Sequence, residues 1–255
     1  MLLCVDIGNS SIAIGYDTGP GLVVQRLDTH PLRTGLQYSA EISAFMAEKR
    51  IENNKVRCII SSVVPGHTHA VAAAVRQIAG GELDILHVGH TMKTGLAFDV
   101  KTPEELGADR IATAAGAYEV FRGPVAVVDF GTATTVTVVD EKASLIGGAI
   151  MPGPGLMNAA LQQGTAKLKQ AALEAPQSPL GRDTSECIRT GIFYGSAGAV
   201  ERIIAGIGDA TGKTFRTVIT GGYCQVMKNY LQRPYDIRPY LIFEGLKILY
   251  DKNRP

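Results

Sequence analysis

A short motif occurs twice in this chain, at a separation close to half its length. Val5-Asp6-Ile7-Gly8-Asn9-Ser10 matches Val128-Asp129-Phe130-Gly131-Thr132-Ala133, and the two aspartates are offset by 123 positions in a chain of 255 residues. Each copy follows an apolar run and precedes a β-rich one, the pattern of a strand, a tight turn and a second strand. The period is too long for a solenoid, so the repeat indicates domain duplication. The sequence predicts two similar α/β domains, at residues 1–118 and 119–255.

The remaining segments predict a mixed order of strands and helices in each half. In the first half we expect strands at 2–5, 11–16, 56–64 and 83–88, and helices at 37–50, at 69–78 and within 101–122. In the last of these segments Thr102 is the expected N-cap, Pro103 is the expected first helical residue, and the small residues after Arg110 predict a closely packed helix. In the second half we expect strands at 125–129, 132–139, 145–150 and 216–220, and helices at 155–173, 196–207 and 240–250. Because each half opens with consecutive strands, the order differs from that of a purely alternating doubly wound sheet.

Composition and charge exclude several classes of partner. The net charge is +1, Trp is absent and there is no basic run, so we expect no nucleic-acid partner. No apolar run reaches the roughly 18 residues of a membrane span, and the N-terminus lacks the basic region of a signal peptide. The four cysteines are scattered, and the five histidines show no metal-ligand spacing. We therefore expect a reduced, cytoplasmic protein without structural zinc.

The repeated motif has the chemistry of a phosphate-binding turn. Glycine lets a turn take positive φ and lets backbone N–H groups approach an anion, which we expect at Gly8 and Gly131. Aspartate supplies hard oxygen for Mg²⁺ or for a monovalent cation between phosphates. Side-chain donors for phosphate oxygens are expected from Asn9, Ser10, Thr132, Thr134 and Thr135. Two such hairpins facing across a cleft would hold a nucleoside triphosphate, and Thr220-Gly221-Gly222 offers bare backbone to an adenosine.

A separate segment, Gly107-Ala108-Asp109-Arg110, supplies a candidate general base. A carboxylate can accept a proton from an attacking hydroxyl during phosphoryl transfer. Arg110 is suited to hold an anionic substrate. An ordinary Asp–Arg surface pair remains the alternative interpretation of these two residues.

Together these motifs resemble the type III pantothenate kinases of the acetate kinase, sugar kinase, Hsp70 and actin superfamily. The resemblance covers nearly the whole chain in family order, through DIGNSSIAIG (6–15), ISSVVP (60–65), PEELGADRIATA (103–114), VVDFGTATTVTVV (127–139), GGAIMPGPGLMNAAL (147–161), TGGY (220–223) and LIFEGLKILY (241–250). It implies an α/β fold of duplicated ribonuclease H-like (actin-like ATPase) domains with a nucleotide cleft between them. It also implies ATP-dependent phosphorylation of pantothenate to 4′-phosphopantothenate, the first step of coenzyme A biosynthesis.

The resemblance also implies roles for individual residues. Asp109 matches the proton acceptor, Asp129 the ligand of a monovalent cation (K⁺ or NH₄⁺), and Thr184 a further pantothenate contact. The pantothenate-binding segment is Gly107, Ala108, Asp109 and Arg110. The ATP contacts are Asp6, Ile7, Gly8, Asn9, Ser10, Ser11, Ile12 and Ala13 in the first hairpin and Thr132 in the second. ATP with Mg²⁺ is the implied phosphoryl donor, and a homodimer is the implied assembly.

Two positions depart from the family, and the milder one is Ser10, where Thr is commoner. Many members carry a Tyr shortly before the Pro-Glu segment, as a substrate contact, whereas Val100 and its neighbours include none. Three alternatives stay open: another small-molecule kinase of the superfamily, a two-metal phosphatase or nuclease on the same fold, and a non-catalytic nucleotide-binding accessory protein. Gly191 and Gly195, four apart on a predicted helix, permit close packing either at a dimer seam or inside the chain.

Overall fold

A computed structural model describes residues 1–19, 21–52 and 55–254, and it divides into two compact units. The first unit comprises Met1–Leu96, Lys101–Gly116 and the C-terminal residues from Ile242 onward. The second comprises Ala97–Val100 and Ala117–Leu241. The domain boundary between residues 118 and 119 remains a prediction. Within the described ranges, no helix combines the length and the apolar character needed to cross a membrane.

The elements follow one another along the chain with strands leading each half. The strands are β1 (Leu2–Ile7), β2 (Ser11–Asp17), β3 (Leu22–Asp28), β4 (Arg57–Ser62), β5 (Ile85–His87), β6 (Ala97–Phe98), β7 (Val125–Phe130), β8 (Ala133–Val139), β9 (Ser144–Pro152), β10 (Arg216–Thr220) and β11 (Asp236–Ile237). The α-helices are α1 (Gly35–Glu48), α2 (Pro65–Ala79), α3 (Ala108–Phe121), α4 (Pro154–Gly164), α5 (Thr184–Thr211), α6 (Cys224–Met227) and α7 (Leu241–Asn253).

The first unit is built on a five-stranded sheet in the order β3-β2-β1-β4-β5. β1, β2 and β3 form an antiparallel meander, whereas β4 pairs parallel to β1 and β5 parallel to β4. Alternate residues of β1 face opposite layers, as the period of a strand requires. Leu3, Val5 and Ile7 pack with α1 and α2, and Leu2 and Cys4 pack with α3 and α7. The sheet is therefore covered by helices on both faces.

Small residues allow α3 and α7 to approach closely within the first unit. A Cβ added at Gly245 of α7 would lie within 3.0 Å of the backbone of Ala112 in α3. Ala112 and Ala115 are buried in this contact together with Phe243, Leu246 and Leu249. The prediction of a closely packed small-residue helix after Arg110 is confirmed.

The second unit repeats the meander in a six-stranded sheet, ordered β11-β10-β7-β8-β9-β6. β7, β8 and β9 are antiparallel, and β10 pairs parallel to β7. The long helix α5 covers one face through Phe193, Ala197, Val200 and Ile204. The two sheets therefore present the predicted hairpins, β1–β2 and β7–β8, at equivalent positions.

Several predicted helix limits are wrong. Pro103 begins only a short 3₁₀ turn (Pro103–Glu105), Leu106 is extended, and α3 starts at Ala108. Thr102 makes no capping bond, because its Oγ1 donates to Glu105 Oε2 at 2.9 Å. The helix expected at 155–173 ends at Gly164, whereas the one expected at 196–207 extends over Thr184–Thr211, with Asp183 as its N-cap.

The chain after α4 is held by a side chain instead of a helical backbone. Asn158 is buried and donates from Nδ2 to Ala171 O at 2.7 Å, and its Oδ1 accepts from the Ala171 N–H at 3.1 Å. These two bonds satisfy both the N–H and the C=O of Ala171 at a point where helical hydrogen bonds are missing. The predicted helix over residues 165–173 is wrong because apolar spacing alone does not show that a side chain provides the backbone with other hydrogen-bond partners.

Candidate functional site

The carboxylate of Asp6 lies in a row of residues that crosses the first sheet. Its strand neighbours in register are Ser61 on β4 and Ala13 on β2, and Ala13 is in turn paired with Arg26 on β3. Ser61 is fully buried, and its Oγ donates to Asp6 Oδ1 at 2.9 Å. Because residues paired across strands share a face, the row sets one carboxylate between a hydroxyl donor and a guanidinium.

The environment of Asp6 raises its pKa to about 7. Burial is the largest cause, and the negative charge of Asp109 is the second. The Ser61 hydrogen bond and the charge of Arg26 act in the opposite direction. The fold therefore brings Asp6 and Asp109 close enough to interact, although they lie on β1 and at the start of α3.

The turn of the first hairpin is closed by a bond from the Gly8 N–H to Ser11 O at 3.0 Å. The expected positive φ is wrong at both Gly8 and Gly131, because neither adopts it. A Cβ at Gly8 would instead lie 3.3 Å from the Ser11 carbonyl oxygen, so tightness of the turn accounts for the glycine. Asn9 and Ser10 are exposed at the tip.

The predicted ATP contacts in this hairpin divide by exposure. The side chains of Ile7, Ile12 and Ala13 are buried in the core, so a ligand could reach these residues through the main chain alone. Asp6, Gly8 and Ser11 are half-buried. The contact pattern predicted for residues 6–13 is therefore one of backbone N–H groups and a few polar side chains.

One residue that holds this turn in place through hydrogen bonds is not predicted by the sequence pattern. Thr29, fully buried just after β3, donates from Oγ1 to Gly8 O at 2.8 Å. Its N–H donates to Ser10 O at 3.2 Å. Ser61 was missed as well, and no local pattern marks either residue, because both act through strand register.

The segment Gly107-Ala108-Asp109-Arg110 forms the N-terminal turn of α3. Asp109 is half-buried, and its Oδ1 accepts from the Arg110 N–H at 2.8 Å. A Cβ at Gly107 would lie closer than 3.0 Å to Asp109 Oδ1, so the bare glycine makes room for the carboxylate. Ala108 is buried and Arg110 half-buried. A simple exposed Asp–Arg pair does not describe this arrangement.

In the second unit, glycines surround the carboxylate of Asp129. A Cβ at Gly221, whose φ is +90°, would lie within 3.0 Å of Asp129 Oδ1 and of the Phe130 backbone. A Cβ at Gly131 would lie 3.2 Å from the same Oδ1. Gly221 therefore makes a close approach to the protein's own hairpin, and the expected contact of this backbone with an adenosine stays a prediction. Gly222 beside it faces open space.

Alternation along β8 separates the threonines of the second hairpin. Thr135 on β8 pairs with Asp129 on β7 and lies on the same face of the sheet, whereas Thr134 pairs with Phe130 and is fully buried. Thr134 Oγ1 has no hydrogen-bond partner in the structure. The expectation that Thr134 donates to phosphate is therefore wrong. Thr132, at the tip of the turn, is half-buried.

Thr184 is the first residue of α5 and is exposed. The N-cap Asp183 accepts from the Glu186 N–H at 2.8 Å, which fixes the start of the helix. Residues on both sides of it, including Arg182 and Thr190, line an open cavity of about 430 Å³. The predicted pantothenate contact thus stands beside a polar cavity of the second unit.

The donor set fits ions that bind with few protein charges. Among the described residues there is no group of three or more His, Cys, Asp or Glu side chains that could hold a metal. Mg²⁺ bound with substrate phosphates needs only one or two carboxylates, which Asp6 can supply. Close packing by Gly131 and Gly221 holds the carboxylate of Asp129 in place, and this carboxylate can supply an oxygen ligand to a single cation.

Comparison with solved structures identifies the fold. A putative 2-dehydro-3-deoxygalactonokinase from Sinorhizobium meliloti superposes with a TM-score of 0.58 at 13% identity, covering 100% of both chains. A putative Baf family transcriptional activator from Campylobacter jejuni superposes with a TM-score of 0.60 at 20% identity, covering 98% of both. At such identities the likeness concerns the fold alone. The fold is that of the actin-like ATPases and sugar kinases, with duplicated ribonuclease H-like domains, as predicted.

Comparison of sequences then gives the family. The sequence profile described as type III pantothenate kinase matches residues 2–206. A type III pantothenate kinase of Bifidobacterium adolescentis is 37% identical over 255 residues, covering 99% of each chain. The chain belongs to the type III pantothenate kinase family.

This membership confirms the predicted activity. The protein is a kinase that phosphorylates pantothenate at the expense of ATP in coenzyme A biosynthesis, and its substrates are pantothenate and ATP with a divalent metal. The family thereby decides among the alternatives left open by the sequence, against a phosphatase or nuclease and against a non-catalytic accessory protein.

Proposed function

We propose that Asp109 is the general base that accepts the proton of the pantothenate hydroxyl. The observation that carries this role is the position of Asp109 in the first turn of α3, where Gly107 leaves room for its carboxylate and where its charge acts on Asp6 beside the phosphate-binding hairpin. Asp6 lies beside the buried Ser61, whereas Asp109 lies in the space that Gly107 leaves open, so the two carboxylates have different surroundings. A base next to the phosphoryl donor fits the needs of in-line transfer.

The first hairpin, residues 6–13, binds phosphate oxygens of ATP chiefly through its backbone. The exposed tip at Asn9 and Ser10 and the buried side chains of Ile7, Ile12 and Ala13 support this mode. Asp6 would hold the divalent metal, which when bound would neutralise charge on the transferring phosphoryl group. Thr132, at the tip of the second hairpin, is a further ATP contact.

Asp129 binds the monovalent cation, K⁺ or NH₄⁺. Its support is the close packing of Gly131 and Gly221 against this carboxylate, which holds it at the turn of the second hairpin. A weakly hydrated cation at this point adds positive charge without the strict octahedral shell that Mg²⁺ demands. The near-zero net charge of +1 agrees with local binding of the anionic substrate, without a basic surface.

Pantothenate is bound by Gly107, Ala108, Asp109 and Arg110, with Thr184 as a further contact. The guanidinium of Arg110 suits the carboxylate of pantothenate. Val100 offers no phenol where many family members carry a Tyr, so we expect a weaker hold on the substrate than a Tyr would give.

The protein acts in the cytoplasm as a homodimer, without a nucleic-acid partner. Gly191 and Gly195 support the dimer, because both are exposed on α5 and a Cβ at either would meet nothing within 4 Å. Internal packing of these glycines, the other interpretation of their spacing, is not observed.

The mechanism follows from positions and charges. Residues 107–110 orient the hydroxyl, Asp109 accepts its proton, and the backbone donors of the first hairpin hold the phosphates in line. The protein takes little part in covalent bonding during phosphoryl transfer, so positioning and charge neutralisation supply most of the catalysis.

A coupled ADP-release assay tests the proposal. We expect turnover with pantothenate and Mg-ATP, stimulated several-fold by K⁺ or NH₄⁺ and unaffected by Na⁺. Asp129→Asn should lose this stimulation while retaining basal turnover. Equal rates with and without K⁺ in the wild type would remove the cation from Asp129, and turnover of a sugar or acetate in place of pantothenate would favour another kinase of the superfamily.

A further inference from the structure

Two hydrogen bonds join Thr29 to the turn of the first hairpin, one from its side chain and one from its main chain. Thr29 Oγ1 donates to Gly8 O at 2.8 Å, and the Thr29 N–H donates to Ser10 O at 3.2 Å. Thr29 itself is fully buried, so water does not compete for these bonds. A single residue thereby bonds to two carbonyl groups of the turn at residues 8–11, those of Gly8 and Ser10.

These bonds fix the direction of two N–H groups that Thr29 does not touch. A peptide group is planar, and in the trans form its C=O and N–H point in opposite directions. The peptide bonds Gly8–Asn9 and Ser10–Ser11 are not cis. When Gly8 O and Ser10 O point towards Thr29, the N–H groups of Asn9 and Ser11 must therefore point away from it.

We propose that Thr29 is a positioning residue of the phosphate site, holding the Asn9 and Ser11 N–H groups in the direction of the ATP phosphates. The inference rests on the proposed role of residues 6–13 in phosphate binding and adds a residue that does not itself touch the nucleotide. Backbone donors fixed before the ligand arrives need no reorganisation on binding.

The choice of threonine agrees with this role. Its β-branched side chain is stiff at χ1, and burial of the methyl group in the core leaves the hydroxyl a single useful direction. Without the hydroxyl, Gly8 O loses a buried partner, and the Gly8–Asn9 peptide can rotate to find another. Rotation of this plane carries the Asn9 N–H away from the phosphates.

The test compares three variants in steady-state kinetics. Thr29→Val keeps the shape and the main-chain bond and removes the hydroxyl, whereas Thr29→Ser keeps the hydroxyl. We expect Thr29→Val to raise the KM for ATP about tenfold and to leave the KM for pantothenate within about twofold of wild type. Thr29→Ser should have the KM for ATP of the wild-type protein. Thr94→Val is the matched control, because Thr94 is also buried and donates to a backbone carbonyl, that of Leu96 at 3.1 Å. It should leave both KM values unchanged.

The result that overturns the inference is a KM for ATP in Thr29→Val within twofold of wild type, or an equal rise in Thr29→Ser. If Thr29→Val does not fold, the amide NMR signals of Asn9 and Ser11 in the wild-type protein decide, since the inference requires both to shift and to exchange more slowly when ADP binds. Asp6→Asn separates the two levels. If it raises the KM for ATP and Thr29→Val does not, the positioning role alone fails; if neither does, the phosphate site fails with it.

Discussion

The carboxylates of Asp6 and Asp109 interact, and the negative charge of Asp109 helps to raise the pKa of Asp6 to about 7. Burial contributes more to this shift, while the Ser61 hydroxyl and the Arg26 charge oppose it. Two carboxylates in different surroundings can divide acid–base and metal-binding roles between them. The interaction also means that a change at one carboxylate is measurable at the other.

Replacing Asp109 by Asn should lower kcat by about 10²–10⁴, the usual loss for a missing general base. It should also lower the pKa of Asp6, because a negative charge near that carboxylate is removed. Steady-state kinetics report the first effect, and the acid limb of kcat/KM for ATP, or carboxyl NMR, reports the second. Asp209→Asn, at an exposed position of α5, is the control. Near-normal kcat in a folded Asp109→Asn protein would exclude Asp109 as the base.

Removing the hydroxyl of Ser61 should have the opposite effect on Asp6. In Ser61→Ala the carboxylate loses the bond to Oδ1, which favours its ionised form, so its pKa should rise above about 7. We expect the acid limb of kcat/KM for ATP to move to higher pH, with a smaller change in rate well above it. Ser43→Ala, on the exposed part of α1, should leave the profile in place. A shift to lower pH would contradict the assignment of Asp6 as the titrating group.

The two hairpins could be predicted from sequence because their signals are local. A strand, an Asp-X-Gly turn and a second strand follow one another, and repetition at half the chain length strengthens the interpretation. Gly8 was predicted at the right place for the wrong reason, since it needs space near Ser11 O and no positive φ. Composition and spacing locate a glycine; the crowding that requires it is a property of the folded backbone.

The partners of the hairpins could not be predicted, because they arrive through strand register. Ser61 meets Asp6 only when β4 pairs parallel to β1, and Thr29 reaches Gly8 only after β3 has returned beside β2. Thr134 illustrates the converse. It was grouped with Thr132 and Thr135 by composition, yet alternation along β8 turns it into the core.

The pH dependence of stability should carry the signature of Asp6. Its folded pKa of about 7 lies above the value of 3.8 for a free carboxyl, so between these values the unfolded chain binds fewer protons than the folded one. The free energy of unfolding of the free protein therefore falls as pH rises through this window and levels off above it. The Asp6→Asn variant has no carboxyl that titrates at this position, so its free energy of unfolding should not fall in this way between these pH values.

Denaturant melts of wild-type and Asp6→Asn protein at several pH values measure the effect. We expect the variant to be more stable by about 1–3 kcal/mol at pH 8, less than full conversion of the shift because the side chain is only half-buried. The difference should vanish near pH 4. Equal stability at pH 8 would show that the carboxylate is ionised without penalty in the folded protein.

Gly221 and Gly222 provide a matched pair for testing the lining of Asp129. Gly221 has φ of +90° and no room for a Cβ, since Asp129 Oδ1 and the Phe130 backbone lie within 3.0 Å of its position, whereas a Cβ at Gly222 meets nothing within 4 Å. Gly221→Ala should therefore destabilise the fold by about 2 kcal/mol or more, through backbone strain and a clash that backbone atoms cannot relieve. It should also displace the carboxylate of Asp129 and reduce the stimulation of turnover by K⁺. Gly222→Ala should change stability by less than about 0.5 kcal/mol and keep the K⁺ response. Thermal melts and the ADP-release assay with and without K⁺ give both readouts, and a Gly221→Ala protein with normal stability and a normal K⁺ response would refute the close packing around Asp129.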